Sequence, residues 1–480
     1  MTHNSKIGLS GQIGSFPLFT KDGDMQLRVL SRIHFSPTLL LLAGFLVLLW
    51  IAGGASRGDV LGQAVVRAGA WAVIAAAVLI GPRPDFKMIR PVLFFMIAAS
   101  LLPLAQLIPL PPSWRPELLD TGLFLDAQAY PLWRPGTIMP SATFNALASL
   151  VVPFAMLILF SQANDRARQD LLTLLVIFVA TALLVGLIQF SGVRFRNPFI
   201  NDFAGNVSSI FANRNHFALL LAIGCVLTPA WVFSNINALR WRGPLALALI
   251  LLFILTILAI GSRTGLVLVA LGMLMAIGLV GKQMKRRMRY APPWLFSVLI
   301  VAGLATVIIF TTLSFVADRV ETVDRLLSLA VDEDLRNRAR PTLLQMILEY
   351  MPFGAGLGSF DASFRLNEPV HLLALQYFNQ AHNDYLGIAL DAGVPGVVLL
   401  VSGVAWWAWA TVQVIRANGD DVMLGRLGSA ILLLIFVASA TDYPARTPTV
   451  MAIAVIAAAW LARGSNSCHR SGLPGPTLNV

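Results

Sequence analysis

Residues 169–190 read QDLLTLLVIFVATALLVGLIQF, and beyond the first two positions this run is almost entirely apolar. A helix of roughly 20 apolar residues is long enough to cross the hydrocarbon core of a bilayer. The run therefore predicts a membrane-spanning helix. Runs of the same character lie at 38–54, 64–81, 91–110, 142–161, 216–234, 243–260, 264–281, 294–316, 395–415, 424–441 and 447–463. We expect an all-α, polytopic membrane protein with about 12 transmembrane helices.

The composition supports this class of protein. Of the 480 residues, 57% are hydrophobic and 12% are charged, whereas soluble proteins carry about 25% charged residues. The net charge of +11 is spread between the apolar runs and is not gathered on a polar domain. We therefore exclude nucleic acid as a partner and expect contacts with anionic membrane lipids. The two cysteines, Cys225 and Cys468, lie too far apart for a disulfide framework or a cysteine-based metal site.

Lysine and arginine are concentrated in alternate connections between the runs, most densely from Lys282 to Arg289. Because positive residues mark the cytoplasmic side, both termini are predicted to be cytoplasmic. No A-x-A cleavage pattern follows the first run, so we expect an uncleaved first span. The predicted organisation is transmembrane helices 1–9 over 1–316, a periplasmic helical loop over 317–394, helices 10–12 over 395–463, and a cytoplasmic tail over 464–480.

The predicted loop at 317–394 is too polar to span and too long for a hairpin. Pro341 suits the first turn of a helix, and apolar residues then recur near helical spacing at Leu343, Leu344, Ile347 and Tyr350. Glycines end this helix at 354, 356 and 358. A second short helix is predicted from near Asn383 to Gly393, before Pro395.

Three polar motifs fall at the mouths of apolar runs on the same predicted outer side. They are Asn213-Arg214-Asn215-His216, Ser262-Arg263-Thr264 and Ala381-His382-Asn383-Asp384-Tyr385-Leu386. Charge at the edge of the hydrocarbon is expensive and usually has a purpose. Two arginines and a histidine on one water-filled rim favour a site for a phosphorylated substrate embedded in the membrane.

The order of these motifs resembles that of the O-antigen ligase and polymerase superfamily. The resemblance covers roughly 200–400 and includes Gly205-Asn206, the run from Phe211 to Ala218, Gly261-Ser262-Arg263-Thr264-Gly265, the run from Pro352 to Phe360, His382-Asn383-Asp384-Tyr385-Leu386, and Gly393-Val394-Pro395-Gly396. Members of this family are polytopic glycosyltransferases that take glycans from undecaprenyl-diphosphate carriers on the periplasmic face. The resemblance implies the same location, in the bacterial inner membrane, for this chain.

The resemblance also implies residue roles. Arg214 and Arg263 match the arginines that contact the pyrophosphate, and His382 matches the essential loop histidine. Asp391 corresponds loosely to a family acidic residue. The family often has an aromatic residue shortly after an arginine before the glycine-rich turn. Here Pro341-Thr342-Leu343 follows instead, which leaves the roles of the two preceding arginines, Arg338 and Arg340, open.

The predicted chemistry is direct transfer with inversion at the sugar carbon. His382 activates or orients the acceptor hydroxyl, while Arg214 and Arg263 hold the leaving diphosphate. We expect no cofactor and no metal, because the arginines supply the positive charge. The outer face carries several carboxylates but no tight motif with metal-ligand spacing, and these are Asp361, Glu368, Asp384, Asp391 and Asp442. A retaining route through a carboxylate is less favoured, because the three motifs contain no carboxylate except Asp384 and, loosely, Asp391.

Simpler structural interpretations apply to each of these residues. A lone arginine at a helix end, such as Arg214, often extends to the interface, and a lone histidine such as His382 more often caps a helix or faces solvent. His216 is expected to pack or cap. The asparagines are more often turn and cap residues than ligands. The secondary candidates for the site are Asn213, Asn215, His216, Asn383, Asp384, Arg338 and Arg340.

Several functions share these motifs. A ligase would use a lipid A core as acceptor, a polymerase would extend a lipid-linked polysaccharide, and a third variant would glycosylate a protein. A transporter or flippase of lipid-linked glycans would show broken helices and charges near the middle of the bilayer in paired halves. Here only Arg67 is such a charge, and no internal repeat is present. A cell-wall polymerase of the elongation type would lack the histidine motifs.

Overall fold

A computed structural model shows the protein as a bundle of α-helices. It describes residues 36–111, 113, 133–193, 197–201, 207–235, 238–287, 338–373, 380–417 and 422–471. The helices, in chain order, are α1 (Pro37–Ala52), α2 (Leu61–Ile80), α3 (Arg90–Leu107), α4 (Pro140–Ser149), α5 (Val151–Gln162), α6 (Asp165–Phe190), α7 (Arg214–Ser234), α8 (Leu239–Ile260), α9 (Arg263–Arg287), α10 (338–350), α11 (Phe360–Asn367), α12 (Asp384–Arg416), α13 (Met423–Ser439) and α14 (Pro448–Ser471).

Short elements connect these helices. Two short strands, β1 (Pro109–Leu110) and β2 (Arg134–Pro135), pair antiparallel. Single turns of 3-10 helix lie at Lys87–Ile89, Val370–Leu372 and Pro444–Arg446. The last of these turns joins α13 to α14 and lies at the candidate site.

The described residues contain 9 helices, or pairs of abutting helices, that are long and apolar enough to cross a membrane, and α1 and α13 are shorter apolar helices. Every predicted run within these residues coincides with a helix, which confirms an all-α polytopic membrane protein. The predicted run at 294–316 lies outside the described residues. The run at 142–161 is divided into α4 and α5, which abut at Leu150. Pro153 lies just after this junction and disfavours a continuous helix there.

The centre of the bundle is α7. Within its membrane window, 83% of the residues are buried, as expected for a helix that is apolar on nearly every face. It contacts α6, α8, α9 and α13, and α13 in turn packs along α14. The N-terminal ends of α7 and α9 are therefore held at the same face of the bundle as the α13–α14 connection.

A second, smaller core lies between α10, α11 and the start of α12. It is built from Leu343, Ile347, Tyr350, Phe360 and Leu390 together with neighbouring apolar side chains. The predicted helical spacing in α10 is confirmed at 343, 347 and 350. Leu344 lies on the same helix but is 46% exposed, because only one stripe of a short helix can face a core of this size.

The predicted short helix from Asn383 and the predicted span at 395–415 are the two helical parts of α12, which meet at a kink at Gly393. The backbone of Gly393 is not helical, so the predicted end of the short helix at Gly393 is confirmed. Gly393 has φ 55° and ψ −146°, a conformation that is essentially restricted to glycine. The division of the chain into a loop before 394 and spans after it stays a prediction.

Replacing Gly393 with alanine is expected to destabilise the kink. A Cβ atom there would lie 2.2 Å from the Pro352 carbonyl oxygen, and the φ angle would be strained for any side chain. We expect a loss of about 1–3 kcal/mol, seen as a lower midpoint in thermal unfolding of the detergent-solubilised protein. The control is Gly278→Ala, where nothing lies within 4 Å of the added atom. An unchanged midpoint for Gly393→Ala would contradict the strained kink.

Candidate active site

The three polar motifs lie at the N-terminal ends of long helices. Arg214 is the first residue of α7, Arg263 is the first residue of α9, and His382 lies two residues before α12. The first N–H groups of a helix lack partners within it, so polar side chains gather there. Asn213 accepts a hydrogen bond from the Asn215 N–H at 2.8 Å. Asn213 therefore caps α7, as predicted, whereas Asn215 lies within the first turn of that helix.

The side chain of Asp442, in the connection after α13, joins these helix ends. Its Oδ2 atom accepts hydrogen bonds from Asn213 Nδ2 at 3.0 Å and from Asn215 Nδ2 at 2.7 Å. Its Oδ1 atom accepts from the backbone N–H of Tyr443 at 2.9 Å. Asp442 is 1% exposed, and a buried carboxylate needs donors of this kind to offset lost hydration.

Two histidines lie near the same carboxylate. His216 Nε2 and His382 Nδ1 are each 3.8 Å from Asp442 Oδ1. The ring of Tyr443 contacts both histidines edge-on, with its centroid 5.5 Å from that of His216 and 5.0 Å from that of His382. The side chain of His216 is 2% exposed and that of His382 is 18% exposed. Only His382, of these two, is open to a substrate.

His216 packs in the interior, as predicted. Its Nδ1 atom lies in hydrogen-bond contact with Thr447 Oγ1 at 3.2 Å, and its ring meets Phe211 edge-on. His216 and the more accessible His382 thus share two neighbours, Asp442 and Tyr443.

The backbone of His382 is held in an unfavourable conformation. Its φ angle is 47°, in the left-handed region that few residues other than glycine adopt. The next residue, Asn383, caps α12 by accepting from the N–H groups of Tyr385 and Leu386, and its Nδ2 atom donates to the Ala440 carbonyl at 2.8 Å. Asn383 therefore makes the cap, and the surrounding structure fixes His382 beside Asp442. Strained backbone held in this way is often found at functional positions.

The second motif is tied to the first through Asn215. Ser262 Oγ donates to Asn215 Oδ1 at 2.9 Å and accepts from the Gly265 N–H at 3.0 Å. Thr264 Oγ1 is 3.0 Å from Thr441 Oγ1. Residues on both sides of Arg263 are thus bound to the cluster around Asp442.

Both predicted arginines are in reach of water. The Arg214 side chain is partly exposed, and Arg263 is exposed. Arg214 lies between the two asparagines that bind Asp442, and Arg263 lies between two hydroxyl residues that bind Asn215 and Thr441. The backbone positions of both arginines are therefore set by the same hydrogen-bond network that surrounds His382.

A neighbouring ion network holds α12 against the α13–α14 connection. Arg446 Nη2 is 3.3 Å from Asp391 Oδ2, and Arg446 Nε is 3.8 Å from Asp384 Oδ1. Asp384 Oδ2 also accepts from Ser439 Oγ at 2.9 Å and from the Ala445 N–H at 3.1 Å. These contacts give the buried carboxylates Asp384 and Asp391 a structural role near the site.

The glycine-rich turn after α10 docks on the kink of α12. Gly354, Gly356 and Gly358 all have positive φ angles, between 81° and 108°. The Gly356 N–H donates to the Asp391 carbonyl at 2.9 Å, and the Gly358 N–H donates to Asp391 Oδ2 at 3.1 Å. The turn ends α10, as predicted, and also braces the helix that begins beside His382.

Two of the remaining candidates, Arg338 and Arg340, belong to α10. Both are exposed, and their roles stay open. Over the described ranges, no group of three histidine, cysteine, aspartate or glutamate side chains is arranged as metal ligands would be. Metal independence stays a prediction.

Sequence reasoning gave Asp442 no role, and it assigned none to Tyr443 or Arg446. The signal was present in the connection Thr441-Asp442-Tyr443-Pro444-Ala445-Arg446, which places two charged residues between two apolar runs. Such charges at the membrane edge are unusual enough to examine. What the sequence did not reveal is that this connection lies under the three motifs.

Comparison with known proteins supports the resemblance. Residues 246–401 match the model of a family described as O-antigen ligase. The matched range is about a third of the chain and includes Arg263 and His382, whereas Arg214 and Asp442 lie outside it. No curated protein matches the chain. Within the matched range, the assignment to the O-antigen ligase and polymerase superfamily is confirmed.

Proposed function

We propose, from the match of residues 246–401 to a family described as O-antigen ligase, that this chain is a membrane glycosyltransferase. The proposed reaction moves a glycan from an undecaprenyl-diphosphate carrier to an acceptor hydroxyl. It takes place at the periplasmic face of the bacterial inner membrane. In a ligase, the acceptor is a lipid A core. Transfer to a lipid-linked polysaccharide, as in a polymerase, or to a protein hydroxyl would use the same donor and the same chemistry at the donor.

Arg214 and Arg263 bind the diphosphate of the donor in this proposal. As the bond to the sugar breaks, negative charge grows on the leaving diphosphate, and fixed positive charge lowers the free energy of that state. Arginine suits this task because its planar guanidinium binds phosphate oxygens in pairs and stays protonated. Each arginine begins a long helix, so the helix dipoles of α7 and α9 favour the same anion.

His382 receives the proton of the acceptor hydroxyl. The acceptor oxygen forms a bond with the anomeric carbon, and the bond between that carbon and the diphosphate oxygen breaks. The electron pair of the broken bond leaves with undecaprenyl diphosphate. Because the acceptor attacks from the face opposite the diphosphate, the configuration at the sugar carbon inverts. Histidine suits the role because it exchanges protons near neutral pH.

Asp442 positions His382 in this mechanism. A buried carboxylate 3.8 Å from Nδ1 stabilises the positive imidazolium that forms when the ring accepts the proton. The observation that carries the proposal is this single carboxylate, which lies beside the accessible histidine and also binds both residues that flank Arg214. One buried group thereby couples the predicted proton acceptor to the predicted diphosphate site.

Alanine at His382, Arg214 or Arg263 is expected to abolish transfer, with a loss of at least about 100-fold. The measurement is glycan transfer by the purified full chain in membranes, with insertion checked by the amount of protein in the membrane fraction. Arg365→Ala serves as the control, because Arg365 pairs with Asp361 on α11. Full activity in all three variants would exclude the mechanism.

Metal removal is expected to leave transfer intact, since the arginines supply the positive charge that a divalent ion would otherwise provide. The assay is the same transfer reaction after treatment with EDTA. Loss of activity with EDTA, followed by recovery with magnesium, would contradict the proposal and show that the reaction requires a metal ion.

A further inference from the structure

Arg67 is a charged residue within the candidate span formed by α2. The proposed transfer mechanism assigns it no role. It lies six residues beyond Leu61, roughly 9 Å along the helix axis from its start. Ionisable residues at this depth are costly and mark binding sites or ion pathways more often than surface charges do.

The guanidinium of Arg67 is held by neutral acceptors. Its Nη1 atom donates to Asn145 Oδ1 of α4 at 2.5 Å, and its Nη2 atom donates to Gln63 Oε1 at 3.2 Å. Gln63 is itself fixed by a bond from its Nε2 atom to the Ala55 carbonyl at 2.5 Å. No carboxylate pairs with Arg67 among the residues described, and its buried Nε atom has no hydrogen-bond partner there.

The acidic residue nearest to Arg67 in the sequence, Asp59, is already paired with another arginine. Asp59, in the connection before α2, accepts from Arg57 Nε at 3.0 Å. This hydrogen bond to Arg57 lowers the pKa of the Asp59 carboxyl, which therefore stays ionised and paired. Asn145 and Gln63 thus orient the guanidinium of Arg67 but do not neutralise its positive charge.

Arg67 lies at the same end of the bundle as the candidate active site. The connection before α2 contacts the residues before Arg214, through the bond from the Ala212 N–H to the Gly54 carbonyl at 3.1 Å. At the start of α4, the Ile138 N–H donates to the Ala355 carbonyl of the glycine-rich turn at 2.9 Å. Both helices that hold Arg67 therefore begin beside the elements that build the site.

The bilayer has access to this position. Among the residues one turn away from Arg67 on α2, Ala64 and Trp71 are exposed, whereas Gln63 and Ala70 are buried, so Arg67 lies at the border between the buried and the exposed face of the helix. Trp71 is 64% exposed, as expected for a side chain that faces lipid. A headgroup could approach Arg67 from the membrane along this face.

We propose that Arg67, oriented by Gln63 and Asn145, binds a phosphate group carried by a membrane lipid. The phosphate oxygens accept hydrogen bonds from the remaining guanidinium N–H groups. The phosphate also supplies the negative charge that the described protein residues do not provide. The lipid is either a phospholipid of the surrounding leaflet or the polyprenyl carrier of the donor. The second case rests on the proposed function, and the first does not.

The alternative is that Arg67 only fastens α2 to α4. In that case, removing its charge would change the stability of the protein and leave lipid affinity as it was. A binding measurement on folded protein separates the two roles.

The test compares Arg67→Gln with the wild-type full chain in detergent, using native mass spectrometry to count bound lipid. Two probes are titrated separately, dioleoylphosphatidylglycerol and undecaprenyl diphosphate. Arg57→Gln is the matched control, since it removes the same charge from the same end of the bundle where the arginine is already paired. Arg67→Lys keeps the charge, and Arg214→Gln reports on the diphosphate site of the proposed function.

We expect Arg67→Gln to weaken binding of one probe at least about tenfold. Arg67→Lys is expected to keep part of the affinity for that probe, and Arg57→Gln to keep all of it. Weaker binding of phosphatidylglycerol would identify the lipid at Arg67 as a phospholipid, and weaker binding of undecaprenyl diphosphate would identify it as the donor carrier. Wild-type affinity of folded Arg67→Gln for both probes would overturn the inference. If Arg214→Gln alone lost undecaprenyl diphosphate, the proposed function would stand without the Arg67 site.

Discussion

The buried carboxylate of Asp442 is the constraint on which the site depends. Two asparagine amides and one backbone N–H donate to it, and two imidazoles lie 3.8 Å away. These partners come from the start of α7, from the segment before α12 and from the α13–α14 connection. Since a buried anion is unstable without such donors, the carboxylate and the helix ends hold one another in place.

This arrangement explains why helix-cap residues and site residues occur together. Asn213 and Asn383 satisfy the free N–H groups at the starts of α7 and α12 with their oxygens, and their amide nitrogens remain for tertiary contacts. The arginines and His382 lie next to residues engaged in this way. The same hydrogen bonds that stabilise the helices therefore fix the positions of the charged groups that we propose to act on the donor.

Much of the fold could be predicted because membrane spans depend on local properties. The apolar runs were long enough to identify within the described residues, and the motifs at Arg214, Arg263 and His382 were visible as charges at the membrane edge. The Asp442 cluster was not predictable in the same way, because it depends on which helix ends meet in space. The break at Gly393 was predictable from a glycine two residues before Pro395, whereas the packing of the turn at 352–358 against this kink depends on tertiary contacts that the sequence does not show.

The coupling between Asp442 and His382 tests the account most directly. Transfer activity is measured for Asp442→Asn, for His382→Gln and for the double variant, each confirmed as folded and inserted. If Asp442 acts through His382, the double variant loses little more activity than His382→Gln alone, so the two effects are strongly non-additive. Losses that simply add would contradict a shared role and would separate the buried carboxylate from the chemistry.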